Sequence, residues 1–553
     1  MVEVSGAAEG RSGAGRRAVG RWLPLVLVLL ALAEFGRESW VLPAQTDDAF
    51  ISYRYARNLV DGLGLVYNAG ERVEGMTNLF WTLLVAAGLA LGFEAKAVGH
   101  AFGVASGAGV LWLTYLYART GRERLRGWVA GIAPWLVLSF LSFAYWTTSG
   151  METPLFTALV TATLVAHARG RLAWAALAAF LAAATRPDGV LVAGVIFGLH
   201  VLESWRTERW RALLWPAVYA FSMLGLTLFR LAYYGSPVPN TFYAKVGGVP
   251  PLRGVYYALG FFVVGVWPLF FPAAFALARE ARWRAAAVYA LVVAAYVVAV
   301  GGDAFPHSRF FVPLLPALAA MAVHGAALAL ERGRLVGGIA WASIGIVVGV
   351  NYFGLYTWGV GLCVLVLALA WAVAAGWERR RPAPLPTLVA LLAVALQAGG
   401  VYPSLEGRVA GAPWRRTRAA SLQHNHDYNA RLEQLALRRA RLLRERDGRT
   451  PLVATGGIGA FGYYAGVPIL DLFGLIDPEI ARSPVKRPGL AAPGHLRSNA
   501  DYVFARRPDY ILIPRRGTKM LTAPSLSEIW AHPELEAHYE WDGALTGYRR
   551  KGT

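Results

Sequence analysis

From Trp22 to about Val401 the chain is a succession of apolar runs, many of them near the ~20 residues a membrane helix needs, separated by short polar turns. This pattern predicts a polytopic α-helical membrane domain over residues 22–401. The turns alternate in character. One set is basic: the loop with Arg119, Arg122, Arg124 and Arg126, then residues 167–171, 206–211, 279–284, 332–334 and 379–381. The positive-inside rule places these in the cytoplasm. The other set, residues 146–154, 185–189, 233–254, 301–309 and 351–354, is richer in Gly, Pro, Asp and aromatics and falls on the outer face.

Arg16, Arg17 and Arg21 precede the first run, at residues 22–35, which reads as an uncleaved first helix with its N-terminus inside. Residues 1–21, rich in Gly, Ala, Ser and Arg, are expected to form a disordered cytoplasmic tail. A long outer loop at residues 42–76 follows the first helix. The alternation requires an odd number of crossings between Met76 and Arg119, where two runs occur, residues 77–93 and 97–117. The shorter is expected to lie on or dip into the outer leaflet. The count is then about 13 membrane helices, and the chain emerges outside. Residues 402–553 are polar and arginine-rich, and they predict a small extracytoplasmic α/β domain. Leu432, Leu435, Leu442 and Leu443 mark an amphipathic helix within 415–446, and residues 451–455, 467–472 and 510–514 are strand-like.

Composition agrees. Of 553 residues 56% are hydrophobic and 16% charged, and the mean hydropathy is +0.42, outside the range of a soluble multidomain enzyme. A net charge of +20 would suggest nucleic acid in a soluble protein. Here much of the excess lies in loops between apolar runs, where arginine sets topology. The single cysteine, Cys363, lies in an apolar run, which excludes an intramolecular disulfide and paired-thiol chemistry.

The first polar cluster is Asp47-Asp48 with Arg54 and Arg57 a few residues on. Helix capping accounts for two carboxylates here, with Thr46 as N-cap and the aspartates in the first turn. The cluster also offers a base and phosphate-binding cations, since Asp47, Ile51, Arg54 and Asn58 share a helical face. Lipid headgroup contact is the competing role for both arginines. Glu74, Glu152, Asp188 and Asp303 lie in outer turns and could line the same cavity, although Asp beside Gly is ordinary turn chemistry and Glu152 stands where a helix begins. Residues 457–462, Gly-Ile-Gly-Ala-Phe-Gly, match a dinucleotide-binding pattern. A glycine-rich strand-to-helix turn on the outer side explains them better. His424, His426 and Asp427 have metal-like spacing that a polar stretch yields by chance, and no metal site is assigned to them. Paired carboxylates would serve a divalent cation as well as a proton. Among the abundant aromatics, Tyr53, Tyr55 and Trp146 could stack on sugar faces.

Residues 47–59, 62–68 and 71–78 together resemble the start of the GT-C-type membrane glycosyltransferases, closest to the mycobacterial terminal arabinofuranosyltransferase family. Further blocks fit in order: residues 149–154, 185–189, 239–245, 301–303 with Arg309-Phe310, and 471–475. The resemblance implies a GT-C-like fold and a polyprenyl-phosphate sugar donor used on the outer face of the bacterial cytoplasmic membrane, with an acidic residue of the first outer loop at the centre of catalysis. On it, Asp47 or Asp48 takes a proton from the acceptor, a cell-envelope glycan or glycolipid. Arg54, Arg57, Lys245 and Arg309 are candidates to hold the leaving phosphate, with Glu74, Glu152 and Asp303 lining the site. Membrane lipids are partners and nucleic acid is not. A transporter or lipid flippase is the alternative, but it would place charges within spans and show internal repeats, and no clear repeat appears. A third reading is an envelope protein that binds glycan without turnover.

Overall fold

The computed structural model describes residues 6–41, 45–120, 127–305, 307–353, 418–446, 450–485, 494–516 and 523–552. Sixteen α-helices precede residue 354 among the described residues. They are α1 (Gly6–Val41), α2 (Ala49–Val60), α3 (Leu79–Ala90), α4 (Ala95–Ala118), α5 (Ala133–Ser139), α6 (Leu141–Thr148), α7 (Thr153–Ala168) and α8 (Leu172–Thr185), followed by α9 (Gly189–Glu208), α10 (Leu214–Tyr234), α11 (Asn240–Lys245), α12 (Pro251–Leu259), α13 (Phe270–Arg279), α14 (Arg284–Val300), α15 (Leu315–Arg332) and α16 (Arg334–Phe353).

Among the described residues, 4 helical segments are long and apolar enough to cross a membrane, or up to 6 if each of two bent pairs is one span. Several apolar runs therefore do not form single span-length helices. The run through α5 and α6 bends by 71° where Phe140 turns extended. The run at 77–93 yields only the 12 residues of α3, which at 1.5 Å per residue falls well short of a ~30 Å hydrocarbon layer. The runs expected over residues 354–401, the basic turn at 379–381, Cys363, the boundary after Val401 and Arg122, Arg124 and Arg126 lie outside the described residues. The backbone is helical from Gly6, so residues 6–21 differ from the expected disordered tail; Ala and Arg are good helix formers and extend the first apolar helix backwards.

α15 is the central helix, with 94% of its apolar window buried. Its alanines, and Gly325, whose Cβ would stand 1.7 Å from the Pro272 carbonyl oxygen, let α13 approach closely. α10 is the opposite case. Only Leu226 and Arg230 are buried, while Phe221 and Leu228 are exposed, as expected of a helix facing lipid.

The C-terminal part opens with α17 (Arg418–Arg446), the expected amphipathic helix, and carries β1 (Val453–Thr455), α18 (Ala460–Ala465), β2 (Ile469–Asp471), β3 (Tyr510–Leu512), β4 (Tyr539–Asp542) and β5 (Gly547–Arg550). The sheet order is β2-β1-β3-β5-β4. β1 runs parallel to β2 and β3, and the last two strands are antiparallel. The three expected strands are present; β4 and β5 are additional. This small α/β unit sits directly on α2, and that contact shapes the site.

Candidate active site

Asp47 and Asp48 stand in the turn that leads into α2. The turn is held from behind by the Thr46 N–H, which donates to the Ser149 carbonyl at 2.9 Å. Capping does not explain the two carboxylates. Asp48 occupies the N-cap position but its side chain makes no capping bond. Asp47 instead accepts a hydrogen bond at Oδ1 from the Ala460 N–H of α18, 2.9 Å away. The glycine-rich stretch 457–462 is therefore the strand-to-helix turn expected, and it cradles Asp47. A Cβ on Gly459 would fall 2.0 Å from the Asp47 carbonyl oxygen and 2.5 Å from its carboxylate, so the approach requires glycine.

Both aspartates are half-buried. Loss of hydration raises the Asp47 carboxyl from 3.8 to about 6, against the Ala460 N–H, which lowers it, while the Asp48 charge raises it further. Asp48 is also raised, first by loss of hydration; Lys245, Arg309 and His495 pull it down and Asp303 pushes it up. These are the groups that surround Asp48. Lys245, the last residue of α11, keeps solvent-facing surface, yet its ammonium is held below the ordinary lysine value by loss of hydration and then by Arg309. Lys245 makes no ion pair among the described residues.

Arg309 and Asp303 form a buried bidentate pair, Nε to Oδ2 at 2.7 Å and Nη2 to Oδ1 at 3.1 Å. The rings of Trp146 and Phe305 flank the guanidinium at 5.4 Å and 4.7 Å. Neither bond to Asp303 uses Nη1, so the pair fixes the arginine while leaving the Nη1 N–H groups outside it. Glu152 borders this group through Arg186, whose Nη1 is 3.3 Å from it and whose Nε and Nη2 grip Asp188 at 2.9 Å and 3.1 Å. Glu152 also accepts from Asn78, which accepts from Ser52 on α2.

Asp47, Asp48, Lys245, Asp303 and Arg309 are thus brought together, with Glu152 at the margin. Arg54, Arg57 and Glu74 are placed elsewhere. Arg54 donates to the carbonyls of Tyr67, Gly462 and Val467, each at 2.8 Å, and to Asn68. Arg57 lies 3.6 Å over the Tyr463 ring and bonds to its hydroxyl. Both arginines clamp the C-terminal unit to α2, and their contacts lie apart from Asp48. Glu74 pairs with the buried Arg230, both carboxylate oxygens 3.0 Å from Nε, and its carbonyl accepts from Asn240 at the start of α11. It positions the helix that carries Lys245. Tyr53, Tyr55 and Trp146 are fully buried and cannot stack on a ligand; Tyr53 bonds to Gln45 and Gly150, Tyr55 to the Val73 carbonyl and Trp146 to the His307 carbonyl.

Two site residues escaped the sequence. His495 comes from the C-terminal unit, where Gly494 packs on the Lys245 side chain and His495 packs 4.4 Å from Phe473. Arg186 lies in a block that the resemblance marks, but only tertiary contact gives it a role. Among the described residues no three His, Cys, Asp or Glu side chains converge as metal ligands, and His424, His426 and Asp427 are no exception.

A domain of unknown function (DUF8728) matches residues 423–551, most of α17 together with the sheet. Two curated proteins named terminal beta-(1->2)-arabinofuranosyltransferase are similar to this chain. The one from Mycobacterium tuberculosis is 31% identical over 263 residues, 44% of this chain and 41% of that protein. The one from Corynebacterium glutamicum is 30% identical over 234 residues, 37% of this chain and 34% of that protein. The chain spans less than half the length of the curated relatives it matches. The resemblance read from the sequence is therefore to proteins so named, and these are glycosyltransferases. Among solved structures, ArnT from Cupriavidus metallidurans bound to undecaprenyl phosphate aligns with a TM-score of 0.46 and 15% identity, covering 83% of this chain and 86% of ArnT. The archaeal oligosaccharyltransferase AglB from Archaeoglobus fulgidus, in complex with an inhibitory peptide and a dolichol-phosphate, aligns with a TM-score of 0.45 and 13% identity, covering 83% of this chain and 65% of AglB.

Proposed function

We propose that the protein is a membrane glycosyltransferase that moves a sugar from a polyprenyl-phosphate donor to a cell-envelope glycan or glycolipid on the outer face of the bacterial cytoplasmic membrane. Arabinofuranose is the sugar that the curated relatives' name favours. In this reading the chain makes about 13 crossings, and the C-terminal α/β unit lies outside. One observation supports the proposal: in a chain built mostly of apolar helices, two adjacent half-buried carboxylates stand within electrostatic reach of Lys245 and Arg309.

The chemistry follows from that arrangement. A carboxylate whose pKa is raised above the ordinary aspartate value is a stronger base, suited to accept the proton of an acceptor hydroxyl as its oxygen attacks the anomeric carbon. The bond from the anomeric carbon to the phosphate oxygen breaks, and its electron pair leaves with the polyprenyl phosphate. Lys245 and Arg309 Nη1 hold the phosphate in this account as its charge grows. Asp48, which faces both cations, is the base in this account. Asp47 is fixed by Ala460 and orients the acceptor side. No step uses a metal.

Purified protein incubated with a panel of radiolabelled polyprenyl-phosphate sugars and envelope glycan tests this. Transfer is expected from one donor and a loss of at least about a hundredfold in Asp48→Asn. No transfer from any donor, with net movement of lipid or solute across proteoliposomes instead, refutes the proposal.

A further inference from the structure

α11 belongs in sequence to the membrane domain, yet among the described residues the helix it packs on most is the short helix Pro478–Arg482 of the C-terminal unit. At six residues α11 closes too few backbone bonds to hold its own shape, so tertiary contacts must set it. Those contacts run along its whole length. At its start Asn240 Nδ2 donates to the Gly474 and Leu475 carbonyls at 2.8 Å and 3.1 Å. These carbonyls stand in a turn fixed by Asp471, whose carboxylate accepts from the Phe473 and Ile476 N–H groups at 2.9 Å and 3.1 Å. Further along, the Arg482 guanidinium lies 4.8 Å from the Tyr243 ring centroid. Just past its end Arg497 Nη2 donates to the Val246 carbonyl at 3.0 Å, while Nη1 donates to the Ser483 carbonyl. One guanidinium thus joins the residue after Lys245 to the C-terminal unit. A Cβ on Gly494 would stand 3.3 Å from Lys245 Cγ, so that backbone follows the lysine stem closely. From the membrane domain, the Glu74 carbonyl accepts from the Asn240 N–H at 2.8 Å. Lys245 and Val246 remain exposed beside these contacts, so the lysine is open to solution.

We infer that the C-terminal α/β unit, which the matched domain of unknown function spans, is a positioning frame for Lys245: Asn240 and Arg497 pin the two ends of α11 and so fix where the ammonium stands. That this position serves the donor phosphate rests on the transferase reading above, whereas the frame itself does not. The need for a frame lies in the side chain. A lysine ammonium is a point charge on a flexible four-carbon stem, without the planar fork that orients an arginine. Such a group binds an anion well when its backbone is already in place, because ordering a loose segment at the moment of binding costs affinity. The hold is also directional. Asn240 offers its amide N–H groups to two carbonyls, and Arg497 reaches two carbonyls at once, one on each side of the contact. Asn240→Leu keeps the volume and removes the donor. Arg497→Lys keeps the charge but lacks the fork that bridges both carbonyls. Neither variant alters the charge around Lys245.

Pulse acetylation of the full purified chain over roughly pH 7 to 11, with mass spectrometry of the peptides carrying Lys245 and Lys551, tests the frame without any sugar. In Asn240→Leu and in Arg497→Lys the ammonium of Lys245 gains water, and its acetylation midpoint is expected to rise by about half a pH unit or more while that of Lys551 stays in place. Arg439→Ala weakens the same unit far from α11, by removing a donor to the Leu545 and Thr546 carbonyls, and is expected to leave the Lys245 midpoint unmoved. A midpoint that fails to rise in either α11 variant, or an equal rise in Arg439→Ala, overturns the frame. Steady-state kinetics connect it to the donor. Both α11 variants are expected to raise the KM for a polyprenyl-phosphate sugar about fivefold, the worth of one neutral hydrogen bond, with the acceptor KM within about twofold. A shifted midpoint with an unmoved donor KM overturns the link to the donor. Wild-type protein that transfers no sugar overturns the transferase reading instead, and the labelling result still decides the frame.

Discussion

Replacing Asp47 by Asn should stabilise the protein while disabling it. In the folded chain the Asp47 carboxyl is raised from 3.8 to about 6. The folded state therefore holds that proton more tightly than the unfolded state. Stability falls as pH rises through the window from 3.8 to about 6 and stays reduced above it. At about 1.4 kcal/mol per unit the shift corresponds to roughly 3 kcal/mol. Because Asp47 is partly solvated, about 1–2 kcal/mol is the expected effect after screening. An asparagine retains an oxygen for the Ala460 N–H and carries no charge, so it keeps the bond and loses the penalty. Thermal unfolding followed by tryptophan emission, at pH 4.5 and pH 8, should show Asp47→Asn more stable than wild type at pH 8, with the gap shrinking at pH 4.5. Sugar transfer should fall at least about tenfold. A variant equally or less stable at pH 8 would show that the carboxylate is a structural asset, and the reasoning about its burial would fail.

Lys245→Gln removes the largest influence lowering the Asp48 pKa, so the acidic limb of the kcat/KM pH profile should move to higher pH, and the donor KM should rise. A profile that stays in place refutes the Lys245–Asp48 coupling. Gly459→Ala should cost about 1–3 kcal/mol and depress transfer, because the added methyl meets the Asp47 backbone and carboxylate; wild-type kinetics would contradict the close approach. Arg54→Met leaves the carbonyls of Tyr67, Gly462 and Val467 without their donor, and a loss of about 3 kcal/mol or more is expected. Limited proteolysis should then release the C-terminal unit faster than in wild type, and an unchanged cleavage rate would remove Arg54 from the clamp.

The periodicity of apolar runs showed a helical membrane domain, and the alternation of basic with Gly- and Pro-rich turns directed attention to the turns that do converge. Asp47, Asp48, Lys245, Asp303 and Arg309 were legible because each is a charge in a loop between apolar segments. Arg54 and Arg57 stand apart from the other candidates for a physical reason: their partners, Gly462, Tyr463 and Val467, lie some four hundred residues later, and helical spacing on α2 carries no information about them. Glu74 looked like a cavity carboxylate because its counter-ion, Arg230, hides in an otherwise lipid-facing helix. The crossing count is the weakest inference from hydropathy, which sees the apolar run through α5 and α6 but not the 71° bend within it. β4 and β5 lacked a signal because one face of the pair carries Glu540, Asp542 and Arg549, and Glu540 and Arg549 pair across the strands. The glycine-rich turn at 457–462 was recognised as a turn, but that it cradles Asp47 emerges only from the contact between the two parts of the chain.

The central claim is that Asp48 drives sugar departure from a phosphate held by Lys245 and Arg309. It is tested most directly by counting polyprenyl phosphate released per sugar transferred in a single turnover, in detergent and without nucleotide. The account predicts one lipid phosphate released for each sugar appearing on the acceptor in wild type, and at least about a hundredfold slower release in Asp48→Asn with the donor still bound. Release and transfer at the wild-type rate in Asp48→Asn would contradict it.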